Sequence, residues 1–162
     1  MTVRAQRPPV DPDVDLSVPG QRAELRGATA SLLAAIAVGG MVGALARYGL
    51  TVAFPHPPRG FPWATFAVNV SGCLLIGALM VLITEAWTAH RLVRPFLGVG
   101  VLGGYTTFST YAVEVQQAVT AGAARTGLLY LAGTLVAALV AVRLGVTLTR
   151  LATGVDRSRS AG

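Results

Sequence analysis

The distribution of acidic residues constrains this chain more than any other feature. Between residues 28 and 150 only two acids occur, Glu85 and Glu114; Asp11, Asp13, Asp15, Glu24 and Asp156 are confined to the two ends. The same stretch divides into four mostly apolar runs, at about 28–53, 63–87, 95–119 and 127–149. A helix needs roughly 20 apolar residues to cross a hydrocarbon core about 30 Å thick, and each run is long enough. Backbone polar groups in lipid must be satisfied within the chain, so helices are the form expected of such runs. The reading is an all-α integral membrane domain of four transmembrane helices over residues 28–150. A disordered N-terminal tail, 1–27, precedes it and a polar C-terminal tail, 151–162, follows. Composition agrees: 12% of the residues are charged, about half the usual share in a soluble domain.

Several function classes drop out early. The single cysteine, Cys73, allows no internal disulfide and no thiol metal site, and His56 and His90 are scattered. No nucleophile–base pair or metal cluster can be assembled, so an enzyme is not expected. The net charge of +6 is not a nucleic-acid signature, because most arginines lie in the tails or at the ends of apolar runs, where lipid headgroups are met. Pro8, Pro9, Pro12 and Pro19 with alternating aspartates give residues 1–27 too little apolar surface to order them. A cleaved signal peptide is not expected, since the apolar run begins after a long polar stretch.

Prolines 55, 57, 58 and 62 make residues 54–62 a connector. Trp63 and Trp87 at the two ends of the second run suit the aromatic belts of a bilayer, and Pro95 suits the first turn of the third. Small residues recur four apart: Gly39 and Gly43, Gly40 and Ala44, Gly100 and Gly104, Gly133 and Ala137. Such pairs let membrane helices approach closely, which predicts a tight, small bundle.

Polar residues inside the spans need reasons. Arg47, near the end of the first span, suits either an arginine snorkelling to the interface or a fixed charge drawing an anion inward. Thr65 and Asn69 are four apart and share a face, as interhelical glue or as uncharged donors. The segment 100–111 (GVLGGYTTFSTY) is the most unusual. Adjacent Gly103 and Gly104 followed by Thr106 and Thr107 favour a helix broken mid-membrane, which is tolerated where freed backbone groups line a cavity or hold an ion. Phe108 and Tyr111 present ring edges, which are positive, and Ser109 and Thr110 add hydroxyls. Tyr130 and Thr134 are again four apart. Glu114 is a functional candidate as a membrane carboxylate, yet an anion path should avoid it unless it is protonated or turned away.

Three strings together resemble the CrcB/Fluc fluoride channels: GGMVGALARY at 39–48, TFAVNVSG at 65–72 and GGYTTFST at 103–110. The resemblance covers residues 30–150. It implies a passive, fluoride-selective channel in the bacterial cell membrane that lowers cytoplasmic fluoride. It also implies a dual-topology antiparallel dimer with two pores between the subunits. By the same resemblance Phe108 is the first aromatic of a phenylalanine box, and Thr65, Asn69, Ser109, Thr110, Tyr130 and Thr134 are polar lining. Arg47 is the vestibule arginine, and the carbonyls of Gly103 and Thr106 help hold a structural sodium ion. Tyr111 departs from the pattern by standing where a second phenylalanine is expected, and Ala64 replaces a glycine. Two rival readings stand beside the channel. A small multidrug-type exporter needs a membrane acid in its first span, and none lies between Ala28 and Ala53. A non-transporting accessory subunit explains the small residues but not the broken third span.

Overall fold

Prolines and glycines set several of the helix limits. The computed structural model describes residues 29–86 and 90–154; the readings for the two tails up to 28 and beyond 154, and for Trp87, lie outside the described residues. Helix α1 (Thr29–Ala53) stops at the proline-rich connector, whose prolines supply no N–H and restrict the residues before them. Helix α2 (Trp63–Val81) follows and continues through a π-helical turn, Leu82–Ala86. Helix α3 begins with π pitch over Arg94–Leu102, with Pro95 in its first turn, and closes with one α turn, Gly103–Tyr105. The backbone is then extended at Thr106, with φ −77° and ψ 157°. Helix α4 starts at Ser109 and runs Ser109–Thr120. A turn through Gly122, at φ +76°, leads to α5, Ala124–Thr153. Gly154 ends α5 at φ +71°, the left-handed conformation glycine adopts most cheaply.

All the described elements are helical, and three stretches, Ala30–Ala53, Trp63–Glu85 and Ala124–Thr153, are long and apolar enough to cross a membrane. Most of their surface is unburied by the chain itself, and leucines such as Leu45, Leu128 and Leu151 point outward. In lipid such a surface needs no cover, so close backbone packing must hold the helices together.

Glycine supplies that packing at two seams. Between α1 and α3, a Cβ on Gly39 would lie 2.5 Å from the Phe96 carbonyl oxygen, and one on Gly100 would lie 2.9 Å from Gly39 Cα. Gly43 and Gly104 are equally closed in, against Val101 and Gly40. Between α2 and α5, Gly77 faces the backbone of Val142 and Gly145 faces that of Leu74. The α1–α3 seam uses pairs visible in the sequence, whereas the Gly77–Gly145 seam carries no four-residue signature. Among the described residues, none lies within 4 Å of a Cβ placed on Gly133.

The helical run that begins at Arg94 ends later than its composition suggests. Gly103 has helical backbone, φ −66° and ψ −36°, and the helix is left only after Tyr105. Gly104 serves approach rather than breakage, because a Cβ there would sit 3.0 Å from Gly40 Cα. Thr106 closes the last turn by donating both its N–H and its hydroxyl to the Leu102 carbonyl, each at 3.0 Å.

Candidate functional site

Asn69 holds the interruption from the side. Its amide nitrogen donates to the Thr107 carbonyl at 2.9 Å, and its amide oxygen accepts from the Thr107 N–H at 2.9 Å. In an unbroken helix that N–H would serve the Gly103 carbonyl. The N–H of Thr110, which would serve the Thr106 carbonyl, instead donates to Thr107 Oγ1 at 3.2 Å. Side chains thus take the two donors, of Thr107 and Thr110, that the freed carbonyls would have used. Gly72 on α2 leaves room for the Thr106 methyl, and Ser71 bonds the Tyr105 hydroxyl at 3.0 Å. Arg47 lies on the other side of this turn and donates from Nε to the Gly104 carbonyl at 3.2 Å.

One turn into α4 a second cluster forms around Glu114, which is buried. Its Oε1 accepts from the Thr65 hydroxyl at 2.8 Å and its Oε2 accepts from the Tyr130 hydroxyl at 2.7 Å. His56, in the connector, brings Nε2 to 3.4 Å from Oε1. Thr65 and Tyr130 are almost wholly buried, and the carboxylate is satisfied by groups from three other parts of the chain. A buried carboxylate is costly unless it is so paired and hydrogen-bonded. The other acid of the spans, Glu85, is held by Arg150 through two contacts, 2.6 and 3.1 Å, where the π turn meets α5.

The sequence candidates therefore fall into separate places. Asn69, Phe108, Tyr111 and Thr134 line one groove of about 1010 Å³, with the Gly103 and Thr106 backbone at its wall. Thr65 and Tyr130 turn to Glu114, and their hydroxyl protons are committed to it. Thr110 accepts from the Thr107 hydroxyl at 3.1 Å, while Ser109 is exposed beside it. The Phe108 and Tyr111 rings are 5.7 Å apart, and Tyr111 lies edge-on to Tyr130 at 5.1 Å. The extra hydroxyl of Tyr111 donates to the Leu131 carbonyl at 2.7 Å, so its proton faces α5 rather than the groove. Thr134 is 5% exposed, and its hydroxyl has no partner among the described residues. A buried hydroxyl beside a groove and without a partner is a free donor at a place where donors are scarce.

Sequence reasoning missed Thr107 and His56. Thr107 stands inside the GGYTTFST string, and the threonine before a new helix start is a capping signal that could have found it. No local signal joins His56 to Glu114, because 58 residues separate them.

Comparison with known proteins places these residues in a lineage. The family described as CrcB-like protein, Camphor Resistance (CrcB), matches residues 34–146. A Nocardia farcinica protein named fluoride-specific ion channel FluC 2 is 49% identical over 157 residues, 97% of this chain and 99% of that protein. A Streptomyces coelicolor protein named fluoride-specific ion channel FluC 1 is 54% identical over 121 residues, 75% of this chain and 79% of its own. A Paracoccus denitrificans protein named fluoride-specific ion channel FluC is 39% identical over 115 residues, 71% of this chain and 91% of its own.

Proposed function

The chain belongs to the CrcB family of multi-pass bacterial membrane proteins, and from that premise we propose that it is a fluoride-selective passive channel that lowers cytoplasmic fluoride. The observation that carries this reading is the groove at the interrupted third span. An anion leaving water must exchange its hydration for other donors. The groove offers the unpartnered Thr134 hydroxyl, the Asn69 amide and the outward ring of Phe108. Ring edges are weakly positive, so Phe108 and Tyr111 can touch an anion without holding it fast. Arg47, Ser109 and Thr110 extend the route toward its ends in this reading, and Thr65 and Tyr130 join it where they meet Glu114. A membrane potential negative inside drives an anion outward by about 2.3 kcal/mol per 100 mV, so no coupling to another ion is required.

Two further features belong to the same proposal. The working unit is an antiparallel dimer, whose second copy or homologue covers the outward face of Phe108. A structural sodium ion would be held by the Gly103 and Thr106 carbonyls, and both have lost the helical donor described above. When bound, sodium would neutralise those carbonyl dipoles and fix the interruption.

Fluoride efflux from liposomes containing the purified protein, with chloride as control, tests the reading. Fluoride-selective efflux is the expected result. Silence from folded protein, alone and with a neighbouring-gene homologue, would instead favour a non-transporting accessory subunit.

A further inference from the structure

The Glu114 cluster contains one group that the channel reading leaves unused, the imidazole of His56. We propose that His56 is the charge-compensating residue of the ion route. Protonated, it neutralises Glu114 and admits the anion; unprotonated, it leaves a net negative charge beside the route and slows passage. This inference rests on the fluoride-channel reading.

The geometry carries it. Both ring nitrogens of His56 face acceptors: Nδ1 lies 3.1 Å from the Pro57 carbonyl and Nε2 lies 3.4 Å from Glu114 Oε1. A neutral imidazole has one N–H and can serve only one of them, whereas the doubly protonated ring serves both. The observed placement is therefore completed by one added proton. Arg59, three residues on, donates to the Ala121 carbonyl at 2.8 Å, which pins the connector to the turn after α4. The His56 side chain is 22% exposed, so the ring reaches the surface of the chain.

Among the described residues, the surroundings supply no other cation. From α5 the cluster is faced by Tyr130, with Tyr111 of α4 behind it; from α2 it is faced by Thr65. Arg59 of the connector is turned to Ala121, and Arg47 of α1 is turned to Gly104. Among the described residues, His56 is the ion-pair partner of Glu114. Tyr130, which donates to this carboxylate, packs edge-on at 5.1 Å against Tyr111, which lines the groove, so the charge of Glu114 lies behind the wall of the route. Repulsion there is poorly screened because the cluster is buried. Histidine is the side chain best suited to gaining or losing a charge near neutral pH.

Fluoride efflux from liposomes should be measured with equal pH on both faces, in steps from about pH 5.5 to 8. Leak through protein-free liposomes is subtracted. Wild-type flux should fall roughly tenfold as pH rises, the lower end of what a local field does to ion capture. His56→Gln keeps a donor but no charge, and its flux should be low and level across the range. Equal pH slopes in both proteins, with fluoride flux intact, overturn the proposal and leave the channel reading standing. A second readout does not depend on flux. In nitrogen-15 histidine-labelled His90→Gln protein, the remaining ring should be doubly protonated at the acidic end and neutral at the basic end. Its signals should also change with Glu114→Gln. A ring that stays neutral throughout, or is indifferent to Glu114→Gln, overturns the proposal even where no flux is seen.

Discussion

Phe108 illustrates how a side chain can matter without supporting the chain that carries it. It is 79% exposed and meets Tyr111 at a ring distance of 5.7 Å. Phe108→Ile should therefore largely abolish fluoride flux while leaving helix content and elution volume in detergent unchanged. Unchanged flux in the folded variant would contradict the role given to the ring. Tyr130 is the opposite case, fully buried with its hydroxyl on Glu114. Tyr130→Phe keeps the ring packing and leaves one carboxylate oxygen short of a donor. That should cost about 1–3 kcal/mol, read as a lower unfolding temperature in detergent. Phe108 was marked by its sequence string and Tyr130 by its four-residue spacing to Thr134. Their difference in burial was not, since four-residue spacing says which residues share a face and not what the face meets.

At the scale of helices, two glycine seams hold the bundle. A Cβ on Gly43 would lie 2.7 Å from the Tyr105 nitrogen and closer still to the Val101 carbonyl. Gly43→Ala should push α1 from α3 and destabilise the bundle by about 1–3 kcal/mol, as overpacking does. Gly133→Ala meets open space within the chain and should be neutral or slightly stabilising by helix propensity. Thermal unfolding of the two variants side by side makes the comparison, and an equal loss would refute the seam. The Gly39–Gly43 and Gly100–Gly104 repeats were legible because both partners carry the motif. Gly77 and Gly145 are single glycines on separate helices, and only their meeting gives them a purpose. The same holds for the interruption after α3: two glycines suggested breakage at 103–104, yet Asn69 and Thr107 determine where the backbone leaves the helix.

For the whole molecule, the arginines bear on orientation. If the N-terminus is cytoplasmic, that side collects Arg22, Arg26, Arg91, Arg94, Arg143, Arg150, Arg157 and Arg159. The other side collects Arg59 and Arg125, with Arg47 nearby. This asymmetry favours one orientation by the positive-inside rule. An antiparallel dimer of identical chains needs both orientations, so the charge bias argues for pairing with an oppositely biased homologue. Reporter tags on both termini should signal from one side of the membrane; equal signal from both sides would favour a homodimer.

By itself the sequence determined what depends on neighbours along the chain. The apolar runs, the proline limits of the helices and the three family strings are local properties of composition and spacing. They were enough to identify a multi-pass membrane protein and its lineage. Tertiary structure alone decided what depends on which helices meet. Glu114 draws its partners from 49, 16 and 58 residues away, and no periodicity relates such positions. The carboxylate that looked out of place on an anion route is thus enclosed by two hydroxyls and an imidazole. Burying a charge is costly, and only a folded chain can bring together the donors that offset that cost.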